Sequence, residues 1–107
     1  MIIATTSEIA GHRIIKTLGM ARGSTVRAKH IGTDIVAGLK NLVGGEMRGY
    51  SSLMAGAREQ ALDRMIEQAV EMGADAIVAA RFETSQIMGG AAEIVAYGTA
   101  VRLEPSE

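Results

Sequence analysis

The sequence contains no cysteine and no tryptophan, and only 3% of its 107 residues are aromatic. Without cysteine the chain can form neither a disulfide framework nor a thiolate metal site. Hydrophobic residues still make up 48% of the chain, so its apolar content is Ala, Ile, Val, Leu and Met. Because small apolar side chains gain little free energy each on burial, a lone monomer of this length would be only marginally stable. The composition is therefore a first indication of self-assembly.

Neither sign of charge is in excess, and no apolar run is long. The chain has 11 basic and 12 acidic residues and a net charge of −1, so no long-range field draws it to nucleic acid or to an anionic membrane. No stretch approaches the ~20 apolar residues of a membrane-spanning helix, and the apolar run at residues 1–6 is too short for a signal peptide. We expect a cytoplasmic protein with no nucleic-acid partner and no membrane partner.

One long amphipathic helix is the strongest pattern in the chain. Apolar residues recur at three- and four-residue steps from Met54 to Met72, which is the spacing of one helical face. We expect this helix to begin near Ser51 and to end at Gly73, since a left-handed glycine commonly ends a helix. The glycine-rich stretch Gly44–Tyr50 would then be the loop that leads into it.

Period-two patterning follows the helix. Residues Ala76–Met88 predict a strand, and Gly89-Gly90 predicts a two-residue hairpin turn. If the last residue of that strand faces Ala91, then Phe82 lies opposite Tyr97. We expect this aromatic face to cover the helix, because a register shifted by one residue would bury charged side chains instead.

The remaining segments complete an α+β pattern. Residues 2–6 predict a short strand, and the region from His12 to Lys29 predicts one bent strand or two short ones, since glycines inside a strand indicate bulges or close backbone approach. A first helix is expected from about Asp34 to Val43. The order strand, strand, helix, helix, strand, strand predicts one domain, residues 1–107, with a mainly antiparallel sheet of three to four strands and both helices on one face. We expect the polar tail, residues 104–107, to fray.

The last strand indicates assembly a second time. Residues 94–101 are apolar or small on both faces, whereas a strand with one solvated face alternates apolar and polar residues. Two helices cannot cover both faces of four strands. We therefore expect a neighbouring subunit to cover the second face.

The glycine-rich stretch before the long helix is the best local candidate for a ligand site. Free N–H groups and the helix dipole both favour negative charge at a helix N-terminus. Two arginines would hold an anionic group, a glutamate would orient them, and a tyrosine would offer a phenol and a stacking face. The predicted ligand-binding residues are Gly45, Glu46, Arg48, Tyr50 and Arg58, with Thr5 and Thr6 as neighbours. The alternative is an ordinary helix–helix turn with a surface ion pair, since no phosphate-loop motif is present.

Metal-ligating and catalytic residues are sparse. His12 and His30 are the only histidines and do not fall at a ligand spacing, so two exposed imidazoles are the alternative to a metal site. With no cysteine nucleophile, and no evident acid partner for either histidine, we expect no enzyme, and the sequence identifies no cofactor. The long helix carries an acidic column that is either a solvated face or a surface for basic residues of another subunit, made of Glu59, Asp63, Glu67 and Glu71.

Short motifs in a fixed order span nearly the whole chain. They are Thr5-Thr6 with Gly11, Gly44-Gly45-Glu46 with Tyr50, Arg58-Glu59-Gln60-Ala61, Gly73-Ala74-Asp75-Ala76 and Tyr97-Gly98-Thr99-Ala100-Val101. Together they resemble the YbjQ-like family of small bacterial and archaeal proteins, also called UPF0145. The resemblance implies a compact α+β subunit that assembles into a ring, a homopentamer and in some members a decamer. The family also carries a heavy-metal-binding label, which in a chain without cysteine implies His12, His30 or carboxylate ligands.

The leading hypothesis is a cytoplasmic, non-enzymatic homo-oligomer, a pentamer, that binds a small ligand or ion near its subunit interfaces. One alternative is a structural ring whose only activity is its assembly, which an interface without a cavity would favour. The other is a heavy-metal-binding protein, which histidines within coordination distance of carboxylates would favour.

Overall fold

The computed structural model describes residues 1–28, 46–88 and 91–106. These residues form four strands and one helix, which are β1 (Ile2–Ile3), β2 (His12–Ala28), α1 (Glu46–Glu71), β3 (Ala76–Met88) and β4 (Ala91–Pro105). The helix predicted from about Asp34 to Val43 lies outside the described residues. Within them, α1 lacks the long apolar stretch that crossing a membrane requires.

The four described strands form one mixed sheet in the order β1-β3-β4-β2. Strand β4 pairs antiparallel with β2 on one side and with β3 on the other. Strand β1 pairs parallel with β3, with Ile2 opposite Ala76 and Ile3 opposite Ile77. A parallel pair is possible here because a long connection that includes a helix separates the two strands along the chain. The predicted α+β class is confirmed, and the sheet is mixed, with two antiparallel strand pairs and one parallel pair among the described strands.

The long strands give the subunit an elongated shape. Strands β2 and β4 contain 17 and 15 residues, and the subunit measures 58 × 22 × 18 Å. Its radius of gyration is 17.5 Å, whereas a compact domain of this length has a radius of about 13 Å. An elongated subunit leaves much of its sheet uncovered by its own helix.

Helix α1 lies on β2 and β4 through small side chains. Its buried residues at four-residue steps are Ala57, Ala61, Met65 and Ala69. The side of the sheet beneath them, called the helix face, consists of Ala21, Gly23 and Thr25 of β2 and Ile94, Ala96, Gly98 and Ala100 of β4. A Cβ atom at Gly23 would come closer than 3.0 Å to the backbone of Ala61 and Met65. Gly23 therefore lets the helix backbone rest directly on the strand.

Strand β2 is one bent strand, and its two interior glycines have different structural roles. Its pairing with β4 shifts register between Thr17 and Gly19, and Gly19 has φ 128°, a conformation that L side chains rarely adopt. Gly23 marks the close approach of α1. Both roles that glycines inside a strand pattern indicate, a bulge and a close backbone contact, are present here.

The predicted hairpin register holds at the turn and fails beyond it. Met88 lies opposite Ala91 as predicted, but Phe82 lies opposite Ala96, and Tyr97 lies opposite Arg81. The pairing of β3 with β4 contains two register shifts, between residues 86 and 88 and between residues 78 and 81. The prediction that the aromatic face covers the helix is wrong, because α1 approaches the sheet closely only over small residues. Phe82 remains 48% exposed.

Two element boundaries in the structure also differ from the predicted ones. Helix α1 begins at Glu46 rather than near Ser51, since an acidic residue suits the first turn and an interior glycine such as Gly49 costs only about 1 kcal/mol. At the other end, Glu104 and Pro105 pair with β2 rather than fray, and Arg13 forms an ion pair with Glu104. Pro105 takes the last position of β4, so its missing N–H removes no bond inside the strand.

Candidate functional site

The side of the sheet that faces away from α1 carries many side chains that no described element packs against. Residues that lie directly opposite one another on neighbouring strands share a face, so the register defines this side, called the open face. It consists of Met20, Arg22, Ser24 and Val26 of β2, Glu93, Val95, Tyr97 and Thr99 of β4, and Arg81, Glu83 and Ser85 of β3. Met20 is 63% exposed and Val26 is 54% exposed. The open face therefore shows apolar surface that none of the described elements covers.

Charges on the open face are sorted into rows. Arg22 and Arg81 flank Tyr97 in one row across the three strands. Glu83 and Glu93 lie in the next two rows toward the hairpin turn. Among the described residues the only ion pair joins Arg13 to Glu104, so none of these four charges is paired with an opposite charge there.

The lower end of the open face is already covered. Ala76, Val78 and Val101 form a small second core there, against which Ile9, Ile14 and Leu103 pack. Ile9 belongs to the segment between β1 and β2, so that segment folds over the base of the sheet. The uncovered part of the open face begins beyond it, at the row of Met20.

Thr5 and Thr6, both predicted site residues, lie in a turn that is tied to β3. The Arg81 guanidinium donates to the carbonyl oxygens of Thr5 (2.9 Å) and Ala80 (2.8 Å). The backbone N–H of Ala79 donates to the Thr6 carbonyl at 2.8 Å, and the Thr6 hydroxyl donates to the Glu8 carbonyl at 2.6 Å. Arg81 was not among the predicted site residues, although an arginine in the otherwise apolar run 76–82 is a signal for it.

A backbone bulge positions this turn. Ala79 has φ 54°, the left-handed conformation that costs an L-alanine about 1–2 kcal/mol. Gly98 lies across from the bulge, and a Cβ atom there would come within 2.6 Å of Ile77 Cγ2. Strand β3 therefore bends toward β4 at this point and presents the Ala79 and Ala80 N–H groups to the segment after β1.

The predicted residues around the start of α1 lie elsewhere. Gly45 is outside the described residues, whereas Glu46, Arg48 and Tyr50 belong to the first turns of α1 rather than to a loop. Arg58 is exposed farther along the same helix. The ligand-binding role of these residues stays a prediction.

The start of α1 and the Thr5–Thr6 turn are far apart within one subunit. Gln68 accepts a hydrogen bond from the Arg22 N–H at 2.6 Å, and Arg22 is in the same row as Arg81, which holds Thr5. Glu46 precedes Gln68 by 22 residues (68 − 46), or about 33 Å of helix. One subunit therefore does not bring all the predicted ligand-binding residues together.

The outer edge of β2 is occupied by side chains of α1. Gln68 accepts from the Arg22 N–H, and Arg64 donates to the Ser24 carbonyl at 2.6 Å. Natural proteins often cover an edge strand in this way to prevent strand pairing with another chain. At this part of β2, the open face rather than the edge is the surface that is free.

The histidines give no metal centre within the described residues. His12 starts β2, and its Nδ1 lies 3.3 Å from the Ala10 carbonyl oxygen. His30 lies outside the described residues. Across residues 1–28, 46–88 and 91–106, no three His, Asp or Glu side chains are grouped as metal ligands.

Comparison with known proteins identifies the family. The YbjQ_1 family model, described as "Putative heavy-metal-binding", matches residues 1–104. A UPF0145 protein of Methanosarcina acetivorans is 62% identical over 103 residues, which cover 96% of this chain and 97% of that protein. A UPF0145 protein of Archaeoglobus fulgidus is 55% identical over 103 residues, covering 96% and 95%.

A solved structure supports the fold. A protein of unknown function of the DUF74 family from Pediococcus pentosaceus aligns with a TM-score of 0.68 and 14% identity, covering 97% of this chain and 98% of its own. At this identity the likeness concerns the fold alone. The two sequence matches extend over nearly the full length of this chain and of each relative. The resemblance inferred from the short motifs is confirmed. The chain belongs to the YbjQ family, which includes the UPF0145 proteins.

Proposed function

We propose that this chain is the subunit of a cytoplasmic, non-enzymatic homo-oligomer, a pentamer, that binds a small ligand or ion near the boundaries between subunits. The observation that carries the proposal is the open face, where Met20 and Val26 are more than half exposed beside the half-buried Val95 and Tyr97. Covering apolar surface of this kind is the main favourable term in protein association. A second copy of the chain is the proposed cover.

The charges of the open face support a second copy as the occupant. The face carries a basic row, with Arg22 and Arg81, and acidic positions at Glu83 and Glu93. Charges sorted into rows can meet opposite charges on another surface of a second copy, which would fix the register of the contact. A pentameric ring uses a heterologous interface, so the open face would contact a different surface of the next subunit.

The small core supports assembly as well. Among the residues that the structure describes, the largest fully buried side chains are Met65, Ile77, Ile94 and Val101, and most other buried core residues are alanines. A core of this kind contributes little stability to an isolated subunit. Binding to other copies stabilises the folded state by mass action, which offsets the thin core.

The ligand part of the proposal rests on the predicted residues. Arg58 is exposed on α1, and the Thr5–Thr6 turn is exposed near the base of the sheet. Because the start of α1, which carries Arg48, is far from this turn within one subunit, a site that includes both would have to form between copies. An anionic group held by Arg48 and Arg58 is the proposed ligand chemistry.

The family description favours a second candidate, a heavy-metal-binding protein. Imidazole and carboxylate are the ligands that this cysteine-free chain can offer, and they suit ions such as Zn²⁺, Cu²⁺ and Ni²⁺. His12 or His30 with carboxylates, shared between copies, would be the site. Elemental analysis of protein purified without a metal-affinity step tests this candidate, with His12→Ala and His30→Ala variants that should lower the metal content.

Native mass spectrometry of the same preparation tests the leading proposal. A pentamer of the 11.2 kDa chain has a mass of about 56 kDa (5 × 11.2), and a bound ligand adds its own mass to this value. We expect a pentamer with a stoichiometric extra mass. A bare pentamer would favour the structural ring, and a monomer at micromolar concentration would contradict the proposal.

A matched pair of variants locates the interface. Val26→Lys places a charge on the open face, whereas Val70→Lys makes the same change on α1, where Val70 is 60% exposed. We expect Val26→Lys to shift the oligomer toward monomers and Val70→Lys to leave its mass unchanged. The reverse result would move the interface to the helix.

A further inference from the structure

Two polar groups beneath α1 lack the hydrogen bonds that buried polar groups normally make. Thr25 is 3% exposed, and its hydroxyl oxygen has no partner in the structure. The Nε atom of Arg27 is also buried without a partner. The two residues are two positions apart on β2 and therefore share the helix face. Unpaired buried groups are rare enough in folded proteins that a pair of them on one face calls for an explanation.

The surroundings of Arg27 do not balance its charge. Its side chain is half-buried, and its Nη2 atom donates to the Gln60 Oε1 atom at 2.9 Å. Glutamine is neutral, and no carboxylate among the described residues forms an ion pair with Arg27. The nearby acidic residues of α1, Glu59 and Asp63, are exposed to solvent. A partly buried guanidinium group thus has a neutral partner and one N–H donor left over.

Most of the free groups at this place are donors. Arginine has five N–H donors and no acceptor, the amide nitrogen of Gln60 can donate once its oxygen is used, and the threonine hydroxyl can both donate and accept. A water molecule could accept from the Arg27 Nε–H and donate to the Thr25 hydroxyl, but it would leave the guanidinium charge unbalanced. An anion accepts from every donor, and it also neutralises that charge.

We propose that Thr25 and Arg27 form a binding site for a small inorganic anion of the size of chloride, held between the Thr25 hydroxyl, the Arg27 Nε–H and the Gln60 amide. The site lies beneath α1 within a single subunit. It is separate from the predicted anion-binding residues Arg48 and Arg58, and it does not depend on assembly. Its occupant ties β2 to α1 at the point where the described part of β2 ends.

Bromide tests the site directly, because it replaces chloride and scatters anomalously. Crystals of the protein grown in sodium bromide are expected to show an anomalous peak within hydrogen-bond distance of Thr25 Oγ1 and Arg27 Nε. The isosteric variant Thr25→Val and the variant Arg27→Met are expected to lose this peak. Density at the same place without an anomalous signal would identify a water molecule and overturn the proposal.

The melting temperature gives an independent measurement in solution. In the wild-type protein it is expected to rise by several degrees as chloride replaces a large organic anion at constant ionic strength, and in Thr25→Val and Arg27→Met this rise should disappear. Arg13→Met removes the same charge from the exposed far end of β2 and should keep the wild-type response. An equal chloride response in wild type and Arg27→Met would refute the site. Arg58→Met and the mass of the oligomer test the proposed function separately, so failure of one proposal is distinguishable from failure of the other.

Discussion

The two sides of the sheet use the same strands in opposite ways. On the helix face, Ala21, Gly23, Ala96 and Gly98 bring the backbone of α1 close to the sheet, and the side chains there are fully buried. On the open face, the same strands carry longer side chains such as Met20 and Tyr97, which remain exposed or half-buried. Within the described residues, small side chains lie where α1 must fit, and larger ones lie where no described element packs on them.

This difference separates two kinds of stability. Contacts on the helix face are made within one chain, so a change there should alter the free energy of unfolding at any protein concentration. If the open face is covered by a second copy, a change there should alter stability only through assembly and should depend on concentration. All stability comparisons below are therefore made at two protein concentrations.

The largest expected effect is at Gly23. Gly23→Ala would drive a Cβ atom into the backbone of Ala61 and Met65, and neither strand nor helix backbone can move without disturbing the core. We expect a loss of about 3 kcal/mol in the free energy of unfolding, measured by urea denaturation. Ser24→Ala, one residue away on the open face, should change this free energy by less than about 0.5 kcal/mol. Similar losses in both variants would remove the distinction between the two faces.

Two methionines allow the same substitution to be compared on the two sides of the sheet. Met65 of α1 is fully buried between the helix and the sheet, whereas Met20 is 63% exposed on the open face. Met65→Ala should lower the free energy of unfolding by about 2–3 kcal/mol at both concentrations, through lost burial and a residual cavity. Met20→Ala should leave the unfolding of the monomer nearly unchanged but increase the fraction of monomer seen by native mass spectrometry. A concentration-independent loss for Met20→Ala would mean that this side chain is packed within its own subunit.

The bulge in β3 allows a stabilising change. Ala79→Gly removes the cost of a left-handed alanine, about 1–2 kcal/mol, but adds about 0.4–1 kcal/mol of chain entropy in the unfolded state. The net gain should be about 0.5 kcal/mol, seen as a rise of roughly 2–4 °C in melting temperature. Ala80→Gly, at the next position, has no positive φ to relieve and should lower the melting temperature. Equal effects of the two substitutions would show that the Ala79 backbone is not strained.

Local patterns predicted the elements better than they predicted the faces. The three- and four-residue spacing from Met54 to Met72 located α1. The turn predicted at Gly89-Gly90, which lie outside the described residues, gave the observed pairing of Met88 with Ala91. The pairing of β3 with β4 contains two shifts, and Phe82 lies between them. The shift between residues 86 and 88 alone displaces Phe82 by one residue, and no residue type there signals a bulge. Pairing from the turn alone therefore placed Phe82 opposite Tyr97.

The choice of face failed for a related reason. Aromatic side chains bury more area than alanine, which favoured the side of Tyr97 as the core. The close approach of α1 at Gly23 requires the opposite, because the helix backbone fits only over small residues. The sequence also does not show that α1 covers Thr25 and Arg27. The buried polar groups of these two residues that lack hydrogen bonds therefore could not be predicted from it. The start of α1 at Glu46 was missed because Gly49 was taken as a loop residue rather than as a helical glycine.

The smallest expected effect concerns Arg81, where the open face meets the Thr5–Thr6 turn. Arg81 is exposed, so its hydrogen bonds to the Thr5 and Ala80 carbonyls compete with water, and Arg81→Met should cost no more than about 0.5 kcal/mol. A change of this size should raise the local exchange rate of the Ala79 amide, which donates to Thr6, by about twofold with little change in global unfolding. Arg81→Lys should lose less than Arg81→Met, because one nitrogen, Nη1, makes both hydrogen bonds and an ammonium nitrogen can also donate to two carbonyl oxygens. Unchanged exchange at Ala79 in Arg81→Met would show that the bulge alone holds the turn and that Arg81 is free for a partner, whereas a global loss of stability would assign Arg81 to the fold rather than to the open face.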